Sequence, residues 1–343
     1  MNAPRRLVIH LRDSRPAWSI PEWAVDRIRA ALPDGWEAVE VDAPADGRGD
    51  GGGALPDDVL QAVRGAEVYL GFGVPGEIVR AAPTLRWAHT ASAGVGGALR
   101  DLADSGIVLT NAAGIYAEPM ADTVLAMMLH FARGLDFAVR AQAERRWDKE
   151  PFDDVESPVR ELSEGTVGIV GLGGIGRAVA RRAAALGMRV VASRRAGGEG
   201  PDGVEVLHGD DALRRLLPRA DYLVVTVPHT AETEGLIGAR ELALLPEGAV
   251  VINVARGAVI HEEALVDALR AGRLRGAGLD VFAREPLPHA SPLWTLPNVL
   301  VTPHVSGASH RFWRRQTDLI VENIRRYASG GPLRNTVDKK AGY

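Results

Sequence analysis

Residues 166–190 read TVGIVGLGGIGRAVARRAAALGMRV, and this stretch decides the fold. Thr166–Val170 is a short apolar run of strand type. Gly171-Leu172-Gly173-Gly174-Ile175-Gly176 follows at once, and Ile175–Leu186, rich in Ala and Arg, reads as a helix. A bare GxGxxG pattern carries little information; between a strand and a helix it points to a dinucleotide-binding turn. There Gly171 permits the sharp reversal, Gly173 removes a side chain where a pyrophosphate meets the backbone, and Gly176 lets the helix pack close to the strand. The helix N-terminus then offers N–H donors and positive potential to phosphates. A glycine turn in a plain α/β domain is the alternative reading.

The next strand, Arg189–Ala192, runs into Ser193-Arg194-Arg195. A site for a free ribose 2′-hydroxyl usually has Asp or Glu here, about 20 residues after the first glycine. No carboxylate is present. Two guanidiniums and a hydroxyl suit a 2′-phosphate instead, so NADP is the expected cofactor and NAD the second choice. The plainer alternative is a pair of solvated loop arginines.

Outward from this core the pattern repeats. Strands are expected at Val204–Leu207, Tyr222–Val227, Ala249–Val254, Ala277–Val281 and Val299–Thr302, with helices in most gaps. This is a doubly wound α/β pattern. A second alternating series precedes it, with strands at Leu7–Leu11, Ala38–Val41, Val68–Phe72, Arg86–His89 and Ile107–Thr110, and helices at Pro21–Leu32 and Pro56–Val63. It predicts another parallel sheet covered by helices. Residues 43–54 read as a surface loop, 119–134 as a buried helix, 143–162 as an excursion outside a compact domain, and 309–329 as a last helix.

Composition agrees with two domains. A chain of 343 residues exceeds one ordinary core. Hydrophobic residues at 46% and charged residues at 24% exclude a disordered chain. Forty Lys+Arg against 44 Asp+Glu leave no basic excess for nucleic acid. The absence of cysteine removes disulfides, thiolate metal sites and Cys nucleophiles. No run reaches the ~18 uninterrupted apolar residues of a membrane span, and the N-terminus lacks a secretory pattern. The cytoplasm is the expected compartment. No cluster of His and carboxylates has metal-ligand spacing.

Three strand ends carry reactive side chains: Asn253-Val254-Ala255-Arg256-Gly257, Asp280-Val281-Phe282-Ala283-Arg284-Glu285-Pro286, and Thr302-Pro303-His304. In doubly wound sheets ligands sit beyond the carboxyl ends of the strands, so all three point to the rim of the glycine loop. Arg256 can hold a carboxylate and polarise a carbonyl, His304 can donate a proton to the developing alkoxide, and Glu285 can orient the imidazole. Each residue alone has an ordinary structural explanation. Together they suggest hydride transfer to or from a small 2-oxo acid.

With these residues in view, the chain resembles the D-isomer-specific 2-hydroxyacid dehydrogenase family. The matching stretches are SAGVG (92–96), the helix 119–134, residues 166–190, VINVARGAVIHEEALVDAL (251–269), GAGLDVFAREPLP (276–288) and NVLVTPHVSG (298–307). The resemblance implies two Rossmann-like domains, a flavodoxin-like substrate domain and a doubly wound dinucleotide-binding domain, with the active site in the cleft. The substrate domain would be discontinuous, 1–112 with 306–343, and the cofactor domain would span 113–305. The family's catalytic set maps to Arg256, Glu285 and His304, its backbone carboxylate cradle to Ala93-Gly94, and its nicotinamide-amide acceptor to Asp280. Val227, Pro228, His229 and Ala255 would line the cofactor, and Trp147 and Trp294 are candidate substrate-pocket walls. A homodimer formed through the cofactor domain is implied, with Trp147 reaching the partner.

Departures are Gly96, where the family often has an acid, and Arg194 in place of the usual acid. The REPLPxxSPLW stretch (284–294) and the arginines are similar to glyoxylate/hydroxypyruvate reductases. The alternative is a dinucleotide-sensing binding protein, corepressor-like, with little turnover.

Overall fold

The computed structural model describes residues 4–45, 55–154, 157, 159–195 and 197–342. It divides into two compact units, Met1–Tyr116 with Ser309–Tyr343, and Ala117–Ala308. Most of the loop expected at 43–54, and Pro158, lie outside the described residues.

The first unit holds β1 (Arg5–His10), β2 (Trp36–Glu40), β3 (Ala66–Gly71), β4 (Trp87–Thr90) and β5 (Val108–Thr110). All pair in parallel, in the order β2-β1-β3-β4-β5. That order is the flavodoxin-like one. Successive side chains alternate between two apolar layers, as a strand's period of two requires. Leu7 and Ile9 of β1 enter one layer with Val68, Leu70 and Trp87, while Val8 enters the other with Tyr69 and Ala88. The C-terminal helix Phe312–Ala328 belongs to this unit and buries Phe312, Trp313, Ile320 and Ile324 against the first layer.

The second unit holds β6 (Thr166–Val170), β7 (Arg189–Ser193), β8 (Val204–Leu207), β9 (Tyr222–Val225), β10 (Ala249–Asn253), β11 (Leu274–Leu279) and β12 (Val299–Val301). They form one parallel sheet ordered β12-β11-β10-β9-β6-β7-β8. Residues Thr166–Val170 are all buried, which is why β6 reads as a continuous apolar run rather than an alternating one. The chain order reverses between β6 and its two neighbours, β7 and β9, the switch point at which such sheets bind ligands.

Helix Ala117–Ala132 packs on one face of this sheet. A Cβ at Gly278 of β11 would stand 2.8 Å from the Met127 sulfur, so the GAGL sequence is what lets the helix lie close. The segment 143–162 is not an excursion from a domain: it lies within the second unit, and the Arg160 N–H donates to the Ala132 carbonyl at 2.8 Å. Among the described residues no helix is long and apolar enough to cross a membrane.

Candidate active site

All seven strands of the second unit run parallel, so their carboxyl ends share one edge. The glycine loop leaves β6 there. Gly171 has φ +96°, and its N–H donates to the Ser193 carbonyl at 3.1 Å. The Thr226 hydroxyl, from the end of β9, donates to the Gly171 carbonyl at 2.6 Å. A Cβ at Gly176 would collide with that same carbonyl, which is the close helix–strand approach expected of this position. Gly173 differs: a Cβ there would meet no protein atom within 4 Å. Protein packing does not require this glycine, whereas a ligand passing over the backbone does. Gly173 also caps helix Gly174–Ala185 without a side-chain hydrogen bond, leaving the first-turn N–H groups for an anion. The loop therefore fits a dinucleotide pyrophosphate.

Ser193, the last residue of β7, is buried, and beyond it Arg194 and Arg195 lie progressively toward solvent. The Arg194 N–H donates to the Leu207 carbonyl at 3.0 Å, fixing the start of this turn to the end of β8. Arg195 forms an ion pair with Glu232. After β9, Val227 is half-buried, and Pro228 and His229 are exposed. The Pro228 carbonyl accepts from the Thr233 hydroxyl at 2.7 Å, and His229 lies 3.8 Å from Glu234.

At the end of β10, Asn253 is almost fully buried and folds the following turn back on itself. Its side-chain oxygen accepts from the Ala255 N–H at 3.0 Å, and its amide donates to the Arg256 carbonyl at 3.0 Å. Gly257 then passes so close to the Phe282 backbone that a Cβ would overlap it. That approach brings Arg256, half-buried, near the turn carrying Glu285.

The Glu285 Oε2 lies 2.7 Å from His304 Nδ1, while its Oε1 accepts from the Phe282 N–H at 3.0 Å. Burial pushes the Glu285 carboxyl up. The His304 hydrogen bond, the Phe282 N–H and the charges of His304 and Arg256 outweigh burial and hold it below the usual carboxylate value. With Nδ1 engaged, the His304 Nε2 is the ring nitrogen left for a reacting atom. The imidazole remains about half exposed, so it is accessible from solvent.

Asp280 is fully buried at the end of β11. Its Oδ1 accepts from the Thr302 hydroxyl at 2.6 Å and the Val305 N–H at 2.9 Å, and its Oδ2 from the Ser306 N–H at 2.9 Å. These bonds build the turn that presents His304. Trp294 is half exposed, with its indole N–H donating to the Pro288 carbonyl at 3.0 Å, and Trp147 is almost fully exposed.

Ala93 and Gly94 belong to the first unit and follow β4. The Ala93 carbonyl accepts from the Asn111 amide at 2.8 Å, and the Tyr116 hydroxyl donates to the Ala91 carbonyl at 2.7 Å.

Sequence reading assigns no role to the side chains of Asn253, Asn111, Thr226, Thr302 and Glu232. An Asn directly after an apolar strand is a recognisable turn-former, so Asn253 was accessible from pattern alone. The others act across long sequence separations and leave no local signal.

A family model described as D-isomer specific 2-hydroxyacid dehydrogenase, NAD binding domain, matches residues 125–306. Glyoxylate/hydroxypyruvate reductase B of Pectobacterium atrosepticum is 35% identical over 329 residues, 94% of this chain and 98% of that protein. Glyoxylate reductase of Korarchaeum cryptofilum is 35% identical over 271 residues, 78% of this chain and 80% of the relative. Among solved structures, a D-isomer specific 2-hydroxyacid dehydrogenase from Xanthobacter autotrophicus Py2 in complex with NADPH and MES aligns with TM-score 0.80 and 36% identity, covering 99% of this chain and 100% of that one. An NADPH-dependent glyoxylate/hydroxypyruvate reductase from Sinorhizobium meliloti in complex with NADP and sulfate aligns with TM-score 0.79 and 28% identity, covering 99% and 100%. With a glycine loop, a buried Asp280 and a His304–Glu285 pair on one sheet edge, and with likeness along nearly its whole length, this chain belongs to the D-isomer specific 2-hydroxyacid dehydrogenase family.

Proposed function

We propose that this protein reduces a small 2-oxo acid, of the glyoxylate or hydroxypyruvate class, to the D-2-hydroxy acid with NADPH. The observation that carries the reading is the His304–Glu285 hydrogen bond, with the positive charge of Arg256 acting on the same carboxylate. A ring nitrogen held by a carboxylate leaves the other free to give a proton, which is what a general acid needs. When bound, the reduced nicotinamide supplies the hydride. His304 then delivers the proton to the carbonyl oxygen as negative charge develops on it. Arg256, a permanent cation with a planar fork of donors, binds the substrate carboxylate and polarises the carbonyl. Glu285 orients the imidazole, and Asp280 both fixes the His304 turn and receives the nicotinamide amide.

The preference for NADPH rests on the turn after β7. Ser193-Arg194-Arg195 offers a hydroxyl and two guanidiniums and no carboxylate to meet a free 2′-hydroxyl. Relatives described as NADPH-dependent or crystallised with NADP(H) support that choice.

We further propose a homodimer formed through the second unit. Leu135 and Val139, one turn apart on helix Leu135–Ala143, are exposed together with Leu129, Trp147 and Phe152. An exposed apolar set of this extent marks a contact surface. Sedimentation at micromolar concentration should give twice the chain mass, and a monomer would exclude the interface.

The function is tested by kcat/KM for NADPH and NADH with a panel of 2-oxo acids at fixed salt. Ten- to a hundredfold preference for NADPH is expected, about 1.5–3 kcal/mol, the worth of a charge-assisted contact to the 2′-phosphate. Tight dinucleotide binding without turnover of any 2-oxo acid would favour a dinucleotide-sensing binding protein instead.

A further inference from the structure

The Arg195–Glu232 ion pair joins the turn after β7 to the loop after β9. In the sheet these two strands flank β6, the strand that feeds the glycine loop. The pair therefore spans the end of β6, at the switch point where a dinucleotide lies. Its acidic partner stands on the opposite side of that point from the arginines. Glu232 sits in the turn Thr230–Glu234, which is closed by the Thr233 hydroxyl on the Pro228 carbonyl and by the Glu234 N–H on the Thr230 carbonyl. It is thus presented by a fixed loop rather than a wandering one.

We propose that Glu232 competes with the ribose 2′-phosphate for Arg195 and so sets how strongly this protein prefers a 2′-phosphorylated dinucleotide. The inference rests on the reading that Ser193-Arg194-Arg195 receives the 2′-phosphate. The two side chains are 62% and 69% exposed, so the pair is solvated and weak and can exchange for a better anion. A phosphate carries more charge and more acceptor oxygens than a carboxylate, so it wins Arg195 when present. The exchange still has a cost, because the ion pair must open and Glu232 is left beside a second anion. With an unphosphorylated dinucleotide no competitor arrives, and the pair stays closed. Glu232 therefore lowers affinity for NADP more than for NAD. It is a specificity-determining residue that need not touch the reacting atoms.

Calorimetric titration of NADP+ and NAD+ tests this on the wild type, Glu232→Gln, Arg195→Gln and the double variant. Both positions are exposed, and thermal melts check that each variant folds. Glu232→Gln should tighten NADP+ about two- to fivefold, the range of an exposed ion pair, while the Kd for NAD+ moves by less than that. Arg195→Gln should weaken NADP+, and in that background Glu232→Gln should give no further gain. The gain should also shrink as salt rises. Equal tightening of both dinucleotides, weaker NADP+ binding in Glu232→Gln, or a gain that survives Arg195→Gln would overturn the competition. A wild type that binds NAD+ as tightly as NADP+ would instead overturn the underlying reading of the arginine turn. NADP+ preference with an unresponsive Glu232→Gln would overturn only this inference.

Discussion

His304 has a left-handed backbone, φ +56°, and Asp280 is the residue that holds it there. A side-chain-bearing residue in that region carries a cost of order 1–3 kcal/mol and persists only where the surroundings over-determine it. Thr302, Val305 and Ser306, on both sides of His304, all donate to the buried Asp280 carboxylate. The strain and the clamp thus meet at one turn, and their joint effect is to direct the imidazole toward Glu285. Three hydrogen bonds within five consecutive residues make this buried carboxylate a rigid mount for the imidazole.

Asp280→Asn tests the mount. An amide offers one acceptor oxygen and a donor nitrogen, so at least one of the three bonds must break. Loss of a hydrogen bond to a charged group is worth about 1.5–3 kcal/mol, or roughly ten- to a hundredfold if it is spent on orienting the donor. The kcat for reduction should fall by that amount. In a His304→Ala background Asp280→Asn should cost much less, because residues acting as a unit are not additive. Full additivity in that cycle would show that Asp280 acts elsewhere.

The second prediction concerns the pair itself. His304→Ala should lower kcat by at least about 10²-fold, the ordinary worth of a general acid. Near-normal turnover would remove His304 from the mechanism. Glu285 is held ionised below the usual carboxylate range, so it is an anion throughout the neutral region. Glu285→Gln keeps an acceptor but replaces a charge-assisted hydrogen bond to the His304 Nδ1 with a neutral one, worth about 1.5 kcal/mol, so kcat for reduction should fall about tenfold with KM little changed. An unchanged kcat would reduce Glu285 to a spacer.

Much of this architecture is legible in the sequence. Most strands of both units fall on apolar runs of the sequence, because parallel strands covered on both faces need no polar alternation, while the edge strands β2 (WEAVE) and β8 (VEVL) carry acids. The errors are physical. β11 begins at Leu274 rather than Ala277, since Gly276 and Gly278 look like poor strand residues until Phe131 and Met127 are seen pressing on them. The charged stretch 143–162 reads as an excursion because its tethers, such as Arg160 to Ala132, are tertiary. Arg256, Glu285 and His304 are readable as reactive side chains at strand ends. Asn111 beneath Ala93 and Glu232 opposite Arg195 are not, since only the folded chain brings them together.

A pH-dependent loss of stability is expected from the first unit. His89 is fully buried, with Nδ1 2.9 Å from the Thr110 hydroxyl and Nε2 2.6 Å from the Gln316 amide. Burial pushes its imidazole down to about 3. His10, against the Tyr69 hydroxyl, is also lowered, chiefly by burial. His89 is neutral when folded, while the unfolded chain takes up protons below about 6.5, and the lowered His10 acts in the same direction. The His89 contribution is therefore complete above pH ~6.5 and is lost as pH falls toward 3, by up to about 1.4 kcal/mol per pH unit. Urea midpoints should drop between pH 7 and pH 5, and His89→Gln should show a shallower drop. Midpoints independent of pH over that range would mean that His89 is protonated inside the fold.

The glycine loop offers the sharpest separation of fold from binding, because two glycines of one motif should fail in opposite ways. A Cβ at Gly176 would overlap the Gly171 carbonyl, backbone that cannot rotate aside. Gly176→Ala should therefore destabilise the second unit by about 1–3 kcal/mol, the usual cost of overpacking, and lower Tm by several degrees. Gly173 has φ −79°, a conformation open to any residue, and a Cβ there would meet nothing within 4 Å. Gly173→Ala should leave Tm within about a degree or raise it slightly, since alanine restricts the unfolded chain more than glycine does, so stability is not where its effect lies. Its methyl instead occupies the space above the helix N-terminus, where a pyrophosphate would rest on the backbone. The Kd for NADPH should rise at least about tenfold, measured by quenching of tryptophan fluorescence, with the melt unchanged. Unaltered NADPH affinity in Gly173→Ala would place the pyrophosphate away from this backbone, and the dinucleotide reading of the loop would have to be given up.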